Sequence, residues 1–467
     1  MAGLLQDSYW FSNAADGYEI GQSLRFRGAA NLTANNSFSL ENNVCYSFWA
    51  KLPAATSSSL FRGAGEFPST LMVTSDGQFE MINGQASAAG NFTGRFRDPS
   101  AWYHVFTNQI YNNRVQLYIN GVFVSQVGYN VSSGDVTTAP TVIGTVPIGA
   151  ATQSDCYLAE FHRIGNNSTL LPTDFGEYDA QGVWVPKKYT GTHGTNGFYL
   201  DFADPNNIGK DRSGNGNDFT ATGFELTDTS SNSYDWMLDS PTSNFATINP
   251  IETQWLSGVS SGSILNANLT SDTSPTGINR LTHYPQPGQK LYMEYYVTTS
   301  ASGLYYVGFV PQDFPVGIGG YLGSATSRGV GFYYDGNTYY NTSIVGTNAS
   351  WTTSDVVQLA YDVDTGKTWQ GVNGTWFNSG DPATGANPTY TLPSSPQNWQ
   401  FAFNEYGNST TAGMNLGQLP LRHTVPNGFT TLSTRQQPSA TIPNPSDHFE
   451  VITDTGANIL TAAQSKF

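Results

Sequence analysis

Almost nowhere along the chain do apolar residues recur at the three- and four-residue spacing of a helix face. Short alternating runs bounded by Gly, Asn, Asp and Ser follow one another instead. An alternating run turns one row of side chains to a core and the other row outward, so the chain is read as all-β. The run at 102–106 is followed by one at 114–119, then by Asn120 and Gly121, then by a run at 122–125. An Asn-Gly pair tolerates the two positive φ values of a type I′ turn, which predicts a tight hairpin. A second hairpin is predicted at 355–369, with its turn at Asp364, Thr365 and Gly366, and Asn373-Gly374 leads into the next strand. The two hairpins lie too far apart in sequence to share one core, which predicts two β-sandwich domains in series.

Composition narrows the partners. With 35 acidic and 19 basic side chains, the charged share is 12%, against roughly a quarter in an average domain, while 49 Gly and 24 Pro supply turns. A net charge of −16 argues against nucleic acid, whose phosphates need a clustered basic surface, and against an anionic membrane face. No apolar run approaches the ~20 residues of a membrane-spanning helix, and the opening residues lack the basic-then-apolar layout of a secretion signal. No membrane insertion is expected. The two cysteines, Cys45 and Cys156, exclude a disulfide scaffold and a four-cysteine zinc site. They are read either as two buried thiols or as one disulfide between neighbouring strands, which spacing alone does not decide.

Four regions are expected. Residues 1–170 form a first sandwich and 240–435 a second. Between them, 171–239 is rich in Gly, Asn, Asp and Thr, yet it carries Trp184, Phe198, Tyr199, Phe202, Tyr234 and Trp236. Those rings must be buried, so it is read as an ordered, loop-rich connector that docks the two domains. Residues 436–467 hold Pro438, Pro443 and Pro445, a Pro-rich linker, and then a strand-like run at 448–453, read as joining a neighbour, as swapping onto another subunit, or as the start of a further β-segment.

Chemistry is sought next. Glycosidic cleavage by the common route needs two facing carboxylates, and no alternating Glu/Asp run of that kind occurs; Glu225 to Asp228, and Asp362 with Asp364, lack a second acid on the right face. The six histidines (His104, His162, His193, His283, His423 and His448) are scattered, and His104 and His162 fall inside strand patterns where a satisfied core histidine is the expected role. No nucleophile elbow is present, so no enzyme is expected. Asp211, Ser213, Asn215 and Asn217 place hard oxygen ligands at alternate positions, as the first half of a calcium loop does. The closing acid is missing, since the twelfth position is Thr222. The stretch is therefore either a Gly/Asn turn or a Ca2+ site completed from elsewhere; no cofactor is required. Candidate sugar contacts are Tyr334, Asn337, Tyr339 and Tyr340 about the turn at 335–337, and Trp376 after a hairpin turn, each weighed against core packing. Tyr339 and Tyr340 are consecutive, so in a strand they face opposite sides. Leu4, Leu5, Tyr9, Trp10 and Phe11 form an apolar cluster unusual for a free terminus, read as a segment that docks onto a partner.

The runs at 46–50, 102–105, 114–121 and 157–161 resemble, in order and spacing, successive strands of a concanavalin A-like, laminin-G-type jelly roll. Those at 292–296, 306–309, 329–332 and 357–369 resemble a SPRY domain, also a two-sheet antiparallel sandwich. The strings at 182–187 (beginning Gly182-Val-Trp184), 194–202, 211–218 and 239–247 (beginning Asp239-Ser-Pro-Thr-Ser-Asn-Phe245) are similar to a recurring pattern in virion proteins of tailed bacteriophages, notably marine phages and cyanophages; 415–420 and 428–432 fit the same family. That resemblance implies a virion surface appendage, a tail or neck fibre subunit made in the host cytoplasm and working by adhesion to a host-surface glycan. It further implies other virion proteins as partners and a homotrimer as the usual assembly. The alternatives are a capsid-decorating or fibre-connecting protein without a ligand and, as a minor one, a polysaccharide depolymerase.

Overall fold

In the computed structural model the described residues are 17–437, apart from 37, 39–42, 53–57, 63–69, 75–76, 84–86, 97, 111–113, 129–140, 145–153, 168, 228–232, 251–263, 273–277, 300–303, 314–319, 326, 395–397 and 407–410. The terminal cluster Leu4, Leu5, Tyr9, Trp10 and Phe11, and the stretch 438–467, lie outside the described residues.

Strand Cys45–Lys51 shows how the first sandwich is built. Tyr46, Phe48 and Ala50 join its interior, while Trp49 and Cys45 join clusters on the opposite face, yet all seven residues are buried. Burial on both faces requires a cover on each side. The inner cover is a second sheet, ordered Phe219–Thr222, Asn31–Ala34, Val142–Gly144, Ser58–Arg62, Thr70–Val73, Gln78–Asn83 and Ser87–Arg95. The strand's own sheet runs Val122–Gly128, Arg114–Ile119, Trp102–Ile110, Cys45–Lys51, Ser154–Ile164, Ser23–Gly28 and Trp236–Met237, with Phe198–Leu200 also paired to Ser154–Ile164. Pairing within both sheets is antiparallel. Phe48 and Phe161 stack at 4.8 Å between the layers, and Phe61, Phe198 and Phe219 close the core around them. The fold is all-β, as expected.

The segment 171–239 is part of this sandwich. It gives Phe198–Leu200 and Trp236–Met237 to one sheet and Phe219–Thr222 to the other, and Phe198 and Phe219 fill the core. Phe202 joins that core as well, while Phe175, Trp184, Tyr189 and Tyr234 belong to clusters on the outer face of the first sheet. Trp184 lies on His104 with ring centroids 5.9 Å apart, and a Cβ on Gly121 would run into that indole. Asn120 and Gly121 have φ of 48° and 77°, the left-handed pair of a type I′ turn. Gly121 is thus fixed twice, by its backbone and by the ring above it.

The second sandwich pairs a sheet ordered Ile264–Leu265, Thr270–Asp272, Thr411–Asn415, Lys290–Thr299, Val356–Asp362, Lys367–Val372 and Thr375–Trp376 with one ordered Asn279–Arg280, Trp399–Tyr406, Leu304–Pro311, Val330–Tyr333, Asn337–Tyr340 and Ser343–Thr347. Met293, Val307, Phe309, Phe332, Leu359, Phe401 and Phe403 meet between them. Among the described residues no helix is long and apolar enough to cross a membrane.

Cys45 and Cys156 are both free and buried, so the disulfide reading is set aside. Cys45 stands opposite Ile164, whereas Cys156 is eight residues back along that strand. At about 3.3 Å per residue this places them roughly 25 Å apart, against a bridging limit of about 7 Å between Cα atoms.

The sandwiches meet through the string that begins at Asp239. Lys51 Nζ lies 2.7 Å from Asp239 Oδ2, 2.7 Å from Asn244 Oδ1 and 2.9 Å from the Phe245 carbonyl, and Trp102 Nε1 donates to Asp239 Oδ1 at 2.9 Å. Trp49, Trp102 and Tyr157 of the first sandwich pack with Ala267, Leu269 and Leu419 of the second. Asp155 accepts from the Ala267 N–H at 2.7 Å, and burial pushes its carboxyl up to about 6. An acid raised in the folded state takes up its proton earlier than in the unfolded chain, so this group favours folding below pH 4 and loses that contribution as pH rises through 6. Asp155→Asn keeps the acceptor and removes the charge. It is expected to exceed the parent in stability by about 2–3 kcal/mol at pH 7 and to match it near pH 4, read from urea unfolding at the two pH values. A difference that does not change with pH would refute the assignment.

Candidate functional site

Two covers lie on the outer face of the first sandwich, the 170–193 segment at one end and the junction with the second sandwich at the other. Between them is a small recess lined by Tyr18, Ile20, Ser47, Trp49, Glu160, His162, Phe175, Pro186 and Lys187, whose floor has room for about one water-sized group.

A bulge builds that floor. In strand Ser154–Ile164 the register slips between Ala159, opposite Trp49, and His162, opposite Ser47, and Glu160 sits at φ 51°. Strict alternation would turn Glu160 into the phenylalanine core; the extra residue lets Phe161 take the core position while Glu160 lines the recess. A positive φ at a non-glycine residue stores strain of order 1–3 kcal/mol, which the pairing on both sides sustains.

Glu160 Oε2 accepts from Tyr199 Oη at 2.7 Å and from Tyr18 Oη at 2.9 Å, and lies 3.8 Å from His162 Nε2. Burial, then the charge of Glu160, drives both tyrosine hydroxyls above their ordinary range, so they remain donors. Tyr199 stacks on His162 at 4.2 Å, and His162 Nδ1 is 3.1 Å from His193 Nε2. Burial lowers His193 to about 4. On the other side of the floor Trp184 Nε1 donates to His104 Nδ1 at 3.2 Å, and burial holds His104 down at about 3. The neutral ring therefore carries its proton on Nε2 and donates to Ser47 Oγ at 2.9 Å, leaving the Ser47 hydroxyl hydrogen to point elsewhere. The recess is thus lined by a hydroxyl, an imidazole and a carboxylate, with the buried rings of Trp49 and Phe175 and the half-buried ring of Tyr18 beside them.

The residues proposed from sequence are dispersed. Tyr339 lies on the outer face of its sheet with Tyr306, Tyr321 and Tyr333, while Tyr340 and Tyr334 pack against the interior, so the two consecutive rings do face opposite sides. Asn337 is tied to Asp335 and Thr347, and Trp376 leans on Tyr292 of its own sheet at 6.3 Å. In the loop at 211–217 the Asp211 carboxylate accepts from Tyr199 N, Ser213 N, Ser213 Oγ and Asn217 N. The Asn215 and Asn217 amides donate to the Gly197 carbonyl at 2.8 and 2.9 Å, and Gly214 and Gly216 adopt φ of 93° and 74°. Its polar atoms tie the loop to the 194–199 turn. Among the described residues no group of three or more His, Cys, Asp or Glu side chains is placed to hold a metal ion.

Glu160 was not singled out from sequence. The available signal was a phase break: alternation along 154–164 would put Glu160 inside and Phe161 outside, which only an inserted residue reconciles.

Comparison with known proteins gives the class. Residues 26–163, which include Ser47, Trp49, Glu160 and His162, match the concanavalin A-like lectin/glucanases superfamily, so the first sandwich is a laminin-G-type concanavalin A-like domain. No curated protein matches the chain. Solved structures similar to it include a candidate carbohydrate-binding protein from Bacteroides ovatus (12% identity, TM-score 0.32, covering 44% of this chain and 59% of that one). Others are the heptameric SAP-like pentraxin of Limulus polyphemus (17%, TM-score 0.26, 32% and 81%) and the SPRY domain of human HERC1 (13%, TM-score 0.28, 37% and 99%). The chain spans less than two thirds of the length of the first of these.

Proposed function

We propose that the chain is a structural subunit of a tailed-bacteriophage virion, part of a tail fibre, neck fibre or related appendage, and that it adheres to a glycan on the host surface. The observation that carries this reading is the match of the first sandwich to the concanavalin A-like lectin/glucanases superfamily, with a small polar recess, lined by Ser47, Glu160 and His162, on its outer face. The recess lining holds one carboxylate, Glu160, where the common glycosidase route uses a pair, which favours binding over cleavage. The virion role rests on the resemblance of the strings at 182–187, 194–202, 211–218 and 239–247 to phage structural proteins. Subunits of such appendages are usually homotrimers attached to other virion proteins. Several copies engaged at once would turn sites of ~mM affinity into firm attachment.

The test is adsorption. The purified chain, applied to host cells and to arrayed host polysaccharides, is expected to bind, and Tyr18→Ala, at the half-buried ring beside the recess, to weaken that binding; gold-labelled antibody is expected to mark an appendage of the intact particle. Absence of binding to cells and to every polysaccharide would overturn adhesion. Release of reducing ends would replace it by depolymerisation.

A further inference from the structure

We propose that the folded chain joins Lys51 to Asn244 through an isopeptide bond, with Asp239 as the group that carries the protons and ammonia as the product that leaves. The bond ties the first sandwich covalently to the string that leads into the second.

That string, 239–247, supplies two of the three groups, and strand Cys45–Lys51 supplies the third. Lys51 Nζ is 2.7 Å from Asn244 Oδ1 and 2.7 Å from Asp239 Oδ2. One C=O bond of about 1.2 Å separates that amide oxygen from its carbon, so Nζ stands less than about 4 Å from the atom it attacks. Lys51, Asn244 and Asp239 are 1%, 6% and 0% exposed, and no other lysine among the described residues is buried. Neighbours hold all three in place. Asn244 Nδ2 donates to the Ser100 carbonyl at 2.8 Å, the Asn244 backbone N–H donates to Thr434 Oγ1 at 3.0 Å, and Trp102 Nε1 donates to Asp239 Oδ1 at 2.9 Å. Lys51 Nζ lies 5.7 Å from the centre of the Tyr157 ring. Groups already fixed at contact distance need little further ordering to react, and a site closed to water protects the product from hydrolysis.

An ammonium has no free electron pair, so the first step is a proton transfer from Lys51 Nζ to Asp239 Oδ2. Burial lowers the ammonium and raises the carboxyl, which brings the neutral amine and acid within reach. The Nζ lone pair then attacks Asn244 Cγ, the Cγ–Nδ2 bond breaks, and Asp239 carries a second proton from Nζ to the departing nitrogen. Of the three ammonium protons, one stays on the new amide, one leaves with the ammonia and one remains on Asp239. Nothing is oxidised or reduced, and no co-reactant is needed. Until the bond forms, the same groups hold the junction as an ion pair with its hydrogen bonds.

The test is the intact mass of the purified full chain, taken in denaturant at intervals of incubation near neutral pH. The mass is expected to fall by one ammonia, and proteolysis to release a branched peptide that joins the Lys51 fragment to the Asn244 fragment. Chain kept unfolded in urea for the same time should give no such peptide. Asp239→Asn keeps both reacting groups and removes the proton carrier, and it is expected to slow bond formation about a hundredfold or more. Should that variant fail to fold, wild-type chain decides alone. A mass that stays at the sequence value, or ammonia lost without the branched peptide, as when an Asn-Gly pair cyclises, would overturn the assignment. Folded Asp239→Asn that forms the bond at the wild-type rate would overturn the role given to Asp239.

Discussion

Acidification from pH 7 to pH 4.5 is expected to remove several kcal/mol of stability, and the buried histidines are the reason. His104 and His283 are wholly buried, and burial holds each imidazole down at about 3. In the unfolded chain they protonate near 6.5, so stability from these groups is complete above that pH and is lost as pH falls toward 3. Over the two units between 6.5 and 4.5 each loses about 2.7 kcal/mol, together about 5 kcal/mol of a total of 5–15. His193, lowered to about 4, acts in the same direction, while Asp155 opposes over 6 to 4. The urea midpoint, followed by tryptophan fluorescence, should fall steeply across this range. His104→Gln should remove about half of the two-histidine dependence, since its amide does not titrate. A midpoint that stays constant from pH 7 to 4.5 would refute this account of the histidines.

Lys51→Met is expected to cost about 3–5 kcal/mol, because it leaves the Asp239 carboxylate buried without its cation. Both side chains of the pair are at most 1% exposed. Burial pushes the ammonium down and the carboxyl up, and their mutual attraction works against both shifts. The pair also holds the domain junction, through Asn244 and the Phe245 carbonyl on one side and Trp102 on the other. Pairing Lys51→Met with Asp239→Asn leaves no bare charge and should recover part of the loss. A single variant that melts within about 1 kcal/mol of the parent would show the pair to be dispensable.

The alternating runs made the strands legible, because a two-layer core imposes a period of two. Asn120-Gly121 and Asn373-Gly374 marked two hairpin turns, and both asparagines adopt positive φ. Trp184, Phe198 and Phe202 announced that 171–239 must be ordered, but what they cover depends on long-range pairing that no local pattern encodes. The recess was less legible still. Tyr18, Ser47, Trp49, Glu160 and Lys187 come from four distant stretches of sequence, and the aim of Glu160 depends on one inserted residue. The tyrosines at 333–340 looked like a binding surface because aromatic density alone does not distinguish a ring packed on its neighbours from one awaiting a ligand.

The way 171–239 is woven into the first sandwich limits how that sandwich can be inherited. A cut at residue 170 would strand Phe198 and Phe219 on the wrong side and strip both sheets of strands. A cut before 239 would sever Asp239, Asn244 and the Phe245 carbonyl from Lys51. Recombination between related genes can therefore transplant this domain intact as one cassette running through residue 245, far beyond the stretch 26–163 by which its ancestry is recognised.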